Sequence, residues 1–110
     1  MATYYIPTDI SGGTIQVNDG DVFIFLGNSS NDVKFESATG SATNFSIEFN
    51  VSNSNLGKVE IKDDLNVNIS IADNVVLDDL EIKADKSLST TINIGDNVML
   101  DKFSGSNGSD

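Results

Sequence analysis

Three observations predict an all-β chain built from a stacked repeat. Apolar residues alternate with polar ones along Phe45–Val51 and Leu65–Ile71, the period of two that turns one face of a strand inward and the other outward. Helix signals are nearly absent, and Gly, Asn and Asp punctuate the gaps between the apolar runs, as turn chemistry requires. Residues 65–80 also fall on residues 88–103 at a shift of 23, with eight identities in sixteen pairs. Leu65, Ile69, Ile71, Val75 and Leu77 meet Leu88, Ile92, Ile94, Val98 and Leu100, while Asp73, Asn74 and Asp78 meet Asp96, Asn97 and Asp101.

Taken in chain order, Tyr4–Ile6 is a short apolar segment closed by Pro7, the single proline, which interrupts no candidate central strand. Asp19-Gly20-Asp21 reads as a plain turn. Val22–Leu26, the longest apolar run, and Val33–Phe35 are predicted strands, and Ser37–Asn44 a longer loop. Phe45, Ile47, Phe49 and Val51 precede Val67, Ile69 and Ile71 at a shift near 22, and Leu56 with Val59–Ile61 precedes Leu77 with Leu80–Ile82 at a shift of 21. Each unit then reads as a long strand, an Asp-Asn turn and two short strands.

A unit this short cannot bury its own apolar face, so neighbours must stack. The predicted fold is a short parallel β-helix (solenoid) of about four to five coils of 21–23 residues, spanning residues 1–103, with 104–110 as a Gly/Ser/Asn/Asp-rich tail. Ile69/Ile92, Ile71/Ile94, Val75/Val98 and Leu77/Leu100 would be interior ladders, with Asn74/Asn97 as an amide ladder at the turn, rungs lying about 4.8 Å apart. Asp at Ile71 or at Ile94 should then abolish folding, because an unpaired buried charge costs on the order of the whole stability. An antiparallel sandwich or jelly roll also uses short strands at regular spacing, but it gives no reason for polar turn residues to repeat along with apolar ones.

With 110 residues the chain suits one domain. It carries 17 acidic residues against six lysines, no Arg or His, and a net charge of −11. Nucleic acid and anionic membrane are repelled by such a field, whereas cations are attracted. No window is long and apolar enough for a membrane insertion, and the start lacks the basic and hydrophobic regions of a classical signal peptide. Without Cys there is neither a disulfide framework nor a thiolate metal site. Without His, Cys or Arg, the nucleophilic triads and guanidinium clamps of most catalytic sites are missing. Paired carboxylates would suffice for glycoside cleavage, but the acids sit at repeat-related turns. The expectation is a non-enzyme that requires no cofactor.

Stacked coils would bring Asp73 over Asp96 and Asp78 over Asp101, each pair roughly 5 Å apart. Like charges at that range repel by roughly 1 kcal/mol in water, so such ladders splay into solvent or take up a cation. Calcium suits them, because it accepts six to eight oxygen ligands in flexible geometry.

Gly105-Ser106-Asn107-Gly108-Ser109-Asp110 resembles the opening of the calcium-binding nonapeptide of RTX-type secreted bacterial proteins. Gly105, Gly108 and Asp110 match; Ser106 departs from the second glycine, and the apolar position is not reached. The resemblance implies an extracellular or cell-surface bacterial adhesin or matrix protein exported without an N-terminal signal; an intracellular location stays open from the residues alone.

Both ends of a solenoid expose unpaired coil edges, and no capping helix is legible here. The functional expectation is a self-assembling subunit of an extracellular fibre, sheath or surface layer, joined end to end or by strand-edge pairing, with itself as partner. A variant donates Tyr4–Ile6 to a neighbour's sheet. The alternative is a calcium-responsive adhesion module of a larger secreted protein, with a carbohydrate or cell surface as partner.

Overall fold

A computed structural model describes residues 2–6, 8–10, 13–26, 33–50, 57–62, 64–83 and 89–106, without the side chains of 57, 78–80 and 100–106. The described residues form ten strands and no helix: β1 (Thr3–Ile6), β2 (Gly13–Val17), β3 (Val22–Phe25), β4 (Val33–Ser37), β5 (Thr43–Phe49), β6 (Gly57–Ile61), β7 (Leu65–Ile71), β8 (Val76–Lys83), β9 (Ser89–Ile94) and β10 (Met99–Ser106). The chain alternates between two sheets. Odd-numbered strands make one, in the order β1-β3-β5-β7-β9, and even-numbered strands the other, in the order β10-β8-β6-β4-β2. All pairings are parallel.

Parallel register turns the repeat into columns of side chains. In the first sheet Tyr4, Phe23, Ile47, Ile69 and Ile92 occupy one column, and Ile6, Phe25, Phe49, Ile71 and Ile94 the next. Phe25 stacks on Phe49 with ring centroids 4.8 Å apart, and Tyr4 on Phe23 at 5.3 Å, the offset geometry aromatic pairs favour. From the second sheet come Val33, Val59 and Ile82 in one column and Ile15, Phe35 and Ile61 in another. Phe35 crosses between the sheets to meet Phe23 at 4.9 Å and Phe45 at 5.2 Å. The two inner faces make a single core.

The outer faces differ. On the first sheet Ser46, Asn68 and Thr91 lie side by side, as do Asn44, Asn66 and Ser89. On the second, charges alternate across strands: Lys34 beside Glu60 beside Lys83, and Lys58 beside Glu81, the opposite-charge pairing that favours adjacent strands.

Several expectations need correction. Val76–Lys83 is one continuous strand, so among the described residues each pass shows two strands rather than three; Val76–Leu77 and Leu80–Ile82 fall on a single element. Val59 lies opposite Ile82 at a shift of 23, not opposite Leu80 at 21. A slip of two residues leaves every side chain on the same face, so alternation alone does not separate the two registers. Gly13–Val17 is a strand that the sequence reading passed over. Thr43 and Asn44 belong to β5, not to the preceding loop. β10 runs to Ser106, three residues into the segment read as a tail. Tyr4–Ile6 lies within β1, which pairs with β3 of its own chain, so the segment is not free to be donated. Antiparallel pairing, which the sandwich alternative needs, is absent from the described residues. Val51, Leu56, Leu88 and residues 107–110, with the end of the nonapeptide-like string, lie outside the described residues.

Candidate functional site

The repeated Asp-Asn turns are built alike. Asn74 and Asn97 both adopt left-handed backbone, with φ of 64° and 58°, a conformation Asn visits more readily than other residues bearing a side chain. Asp73 sits one rung below Asp96, as the repeat predicted, and its Oδ1 accepts the Asp96 N–H at 2.7 Å. In return the Asn74 N–H donates to the Asp96 carbonyl at 2.8 Å. Across the molecule Asp19 repeats the device: its Oδ1 accepts the Asn44 N–H at 3.0 Å, and the Gly20 N–H donates to the Asn44 carbonyl at 2.7 Å. Turn aspartates thus tie one rung's backbone to the next, a use of carboxylates that the charge count alone does not reveal. One oxygen of Asp73 is engaged in that tie. The side chains of Asp78 and Asp101 lie outside the described residues. Among the described residues no three acidic side chains gather into a group that could hold a metal ion, which is short of the six to eight oxygens calcium takes.

On the outer face of the first sheet Asn44, Ser46, Asn66, Asn68, Ser89 and Thr91 line a wide-open groove of about 380 Å³. Within it Ser89 Oγ donates to Asn66 Oδ1 at 2.7 Å, and Asn68 Oδ1 accepts from Nδ2 of Asn93, outside the groove, at 2.8 Å. The one aromatic residue in its floor, Phe45, is buried.

The two ends of the stack are the most unequal feature of the molecule. Ile6 and Ile94 terminate the same column, yet Ile6 is 0% exposed and Ile94 is 55% exposed. At the β1 end, the turn through Thr8–Ile10 folds back and Ile10 packs against the core. Val22 and Leu26 donate to the carbonyls of Ala2 and Ile6, so by alternation the N–H and C=O of Tyr5 point away from β3, toward the open edge. Both are taken up locally. Asp9 Oδ2 accepts the Tyr5 N–H at 2.9 Å, and the Asp9 and Ile10 N–H groups donate to the Tyr5 carbonyl at 2.7 and 3.3 Å. Beside this end, buried Asp21 accepts the N–H groups of Ala2 and Asn18 at 3.1 and 2.9 Å.

At the other end the predicted ladder partners are in register, Ile69 beside Ile92, Ile71 beside Ile94 and Leu77 beside Leu100, with Met99 N–H donating to Val75 C=O at 3.1 Å. Their burial differs. Ile69, Ile71, Val75 and Leu77 are buried, Ile92 and Val98 only partly so, and Ile94 is exposed. The expectation that Asp at Ile94 abolishes folding is therefore corrected, because no further rung among the described residues covers it. Gly95 N–H donates to Ile71 C=O, so the N–H and C=O of Ile92 and Ile94 point outward along the β9 edge. No described strand lies there. Sequence reasoning found these residues as ladder members but missed the Asp9 clamp; Pro7-Thr8-Asp9 is a turn signal without a visible target.

No family model, curated protein or solved structure matches this chain.

Proposed function

We propose that the protein is a non-catalytic structural subunit that assembles with itself through its sheet edges, its paired rungs forming a short parallel β-helix, and that it contributes to an extracellular fibre, sheath or surface layer. One observation carries this reading: a column of buried apolar side chains ends at β9 on the exposed Ile94, beside strand edges that no described segment covers. Apolar surface in that position gains free energy when covered, at about 25 cal/mol per Å², and an uncovered edge is a template for another strand. The acidic field keeps subunits soluble and slows indiscriminate contact.

Sedimentation velocity over a range of protein concentrations, with millimolar calcium and with chelator, tests the proposal. Species larger than the monomer that grow with concentration in both buffers are expected. A monomer at every concentration, gaining only stability with calcium and losing that gain in Asp73→Asn or Asp96→Asn, would replace it with the calcium-responsive adhesion module.

A further inference from the structure

We infer that the outer face of the first sheet binds an extended, uncharged polysaccharide, laid in the groove across β5, β7 and β9. This goes beyond the assembly reading and does not depend on it.

The groove draws its side chains from two neighbouring columns, Asn44, Asn66 and Ser89 in one and Ser46, Asn68 and Thr91 in the other. Alternation sends all six outward, because Phe45, Ile47, Val67 and Ile69 between them are buried in the core. Asn44, Asn68, Ser89 and Thr91 are exposed. Rungs about 4.8 Å apart and columns about 6.6 Å apart make a regular array of amides and hydroxyls. The groove's volume of about 380 Å³ suits a short run of sugar rings.

In a chain of net charge −11 this surface is neutral. The one ionisable residue lining it, Asp21, is 2% exposed, and its two oxygens accept the N–H groups of Ala2 and Asn18. Glu48, two residues beyond Ser46 on β5, lies outside the groove. An anionic polymer would meet the repulsive field of the whole chain. A cation finds no exposed carboxylate in the lining, and an apolar ligand finds Phe45 and Val67 buried. A peptide strand joins a sheet through edge backbone groups, which a sheet face does not present.

The ligand that fits is uncharged and rich in groups that both donate and accept, as Asn, Ser and Thr do. A neutral polysaccharide meets both conditions and repeats along its length, as the rungs do. Laid along the stack, it would meet Ser46, Asn68 and Thr91 in turn. Asn66 and Asn68 are already held by their bonds from Ser89 and Asn93, so binding has fewer side chains to order. Without an exposed aromatic platform one groove should bind weakly, with a Kd of about a millimolar. Several copies displayed together would gain avidity.

The test is titration of the isotope-labelled full chain with cellohexaose, an extended neutral glucan, followed by proton–nitrogen NMR. Maltohexaose, whose chain coils, and an oligouronate of the same length are the comparisons. Saturating shifts confined to the lining residues are expected with cellohexaose, and none with the oligouronate. Ser46→Val/Thr91→Val removes two hydroxyls from one column yet keeps residues that suit strands. In that variant Kd should rise at least about fivefold with unchanged circular dichroism. Stronger binding of the oligouronate would overturn the neutral ligand, and preference for maltohexaose would overturn the extended one. An absence of shifts at about 10 mM cellohexaose, or unchanged affinity in the folded variant, would end the proposal. Binding by a protein that stays monomeric would leave this inference standing while the assembly reading fell. Polymers indifferent to cellohexaose would do the reverse.

Discussion

Asp9 grips the backbone of Tyr5 from both sides, its carboxylate accepting the Tyr5 N–H at 2.9 Å and its own amide donating to the Tyr5 carbonyl at 2.7 Å. Removing the carboxylate frees one edge donor of β1. Asp9→Ala should cost about 1 kcal/mol of stability, the usual net worth of such a bond. It should also let larger species form with rising concentration. Sedimentation velocity of the variant beside the parent reads this directly, and identical size distributions would count against the clamp as a guard.

Burial, not repeat position, should set the tolerance to charge. Ile71→Asp is expected to leave no folded protein, since its side chain is 3% exposed and an uncompensated buried charge costs several kcal/mol. Ile94→Asp, at the neighbouring rung of the same column, should fold with stability within about 1 kcal/mol of the parent, as surface changes do. Circular dichroism and urea unfolding of the pair decide the matter.

Gly95 is expected to resist even alanine. A Cβ there would lie 2.5 Å from Asp73 Oδ1, 2.8 Å from the Ile71 carbonyl oxygen and 2.9 Å from the Asp73 nitrogen. Two of those atoms are backbone and cannot swing aside. Gly95→Ala should therefore destabilise by about 1–3 kcal/mol, the scale of overpacking. A neutral result in thermal unfolding would mean that β9 shifts away from β7 at little cost.

At Asn74 and Asn97 the left-handed backbone sets the preference. Replacing either with Ala should cost about 1 kcal/mol, whereas Gly at the same place should cost little or nothing. Chemical denaturation of the four variants separates this backbone effect from loss of an amide ladder, which would make Gly as harmful as Ala.

Glu60 supplies a pH-dependent contribution. Lys62 Nζ lies 2.9 Å from its Oε2, and that hydrogen bond, aided by the charges of Lys62, Lys34 and Lys83, holds the carboxyl below its ordinary range despite some desolvation. A lowered folded-state value means that the stabilisation is present at neutral pH and is lost as acid protonates the group. Lys62→Met should thus weaken the protein at pH 7 by a few tenths of a kcal/mol, up to about 1. The difference should shrink toward pH 3. A difference that persists at low pH would assign the effect to packing of the lysine stem.

Much of this molecule is legible in its sequence. Alternation determined which residues face inward, because side chains in a strand must alternate. The 23-residue repeat determined that Ile69 lies beside Ile92, Ile71 beside Ile94 and Leu77 beside Leu100, and that Asp73 and Asp96 occupy equivalent turns. Those are relations between neighbouring rungs, and a repeat records neighbours. Tertiary structure alone decided what depends on more than one neighbour. Among the described residues two sheets, not three, follow from Val76–Lys83 being one continuous strand, and the pairing of Val59 with Ile82 over Leu80 follows from a register that alternation leaves degenerate. The inequality of the ends is tertiary too. Ile6 and Ile94 are the same residue type in the same column, and what separates them is whether anything folds back over the last rung. For Ile6 the turn through Asp9 and Ile10 does so; over Ile94 nothing does among the described residues.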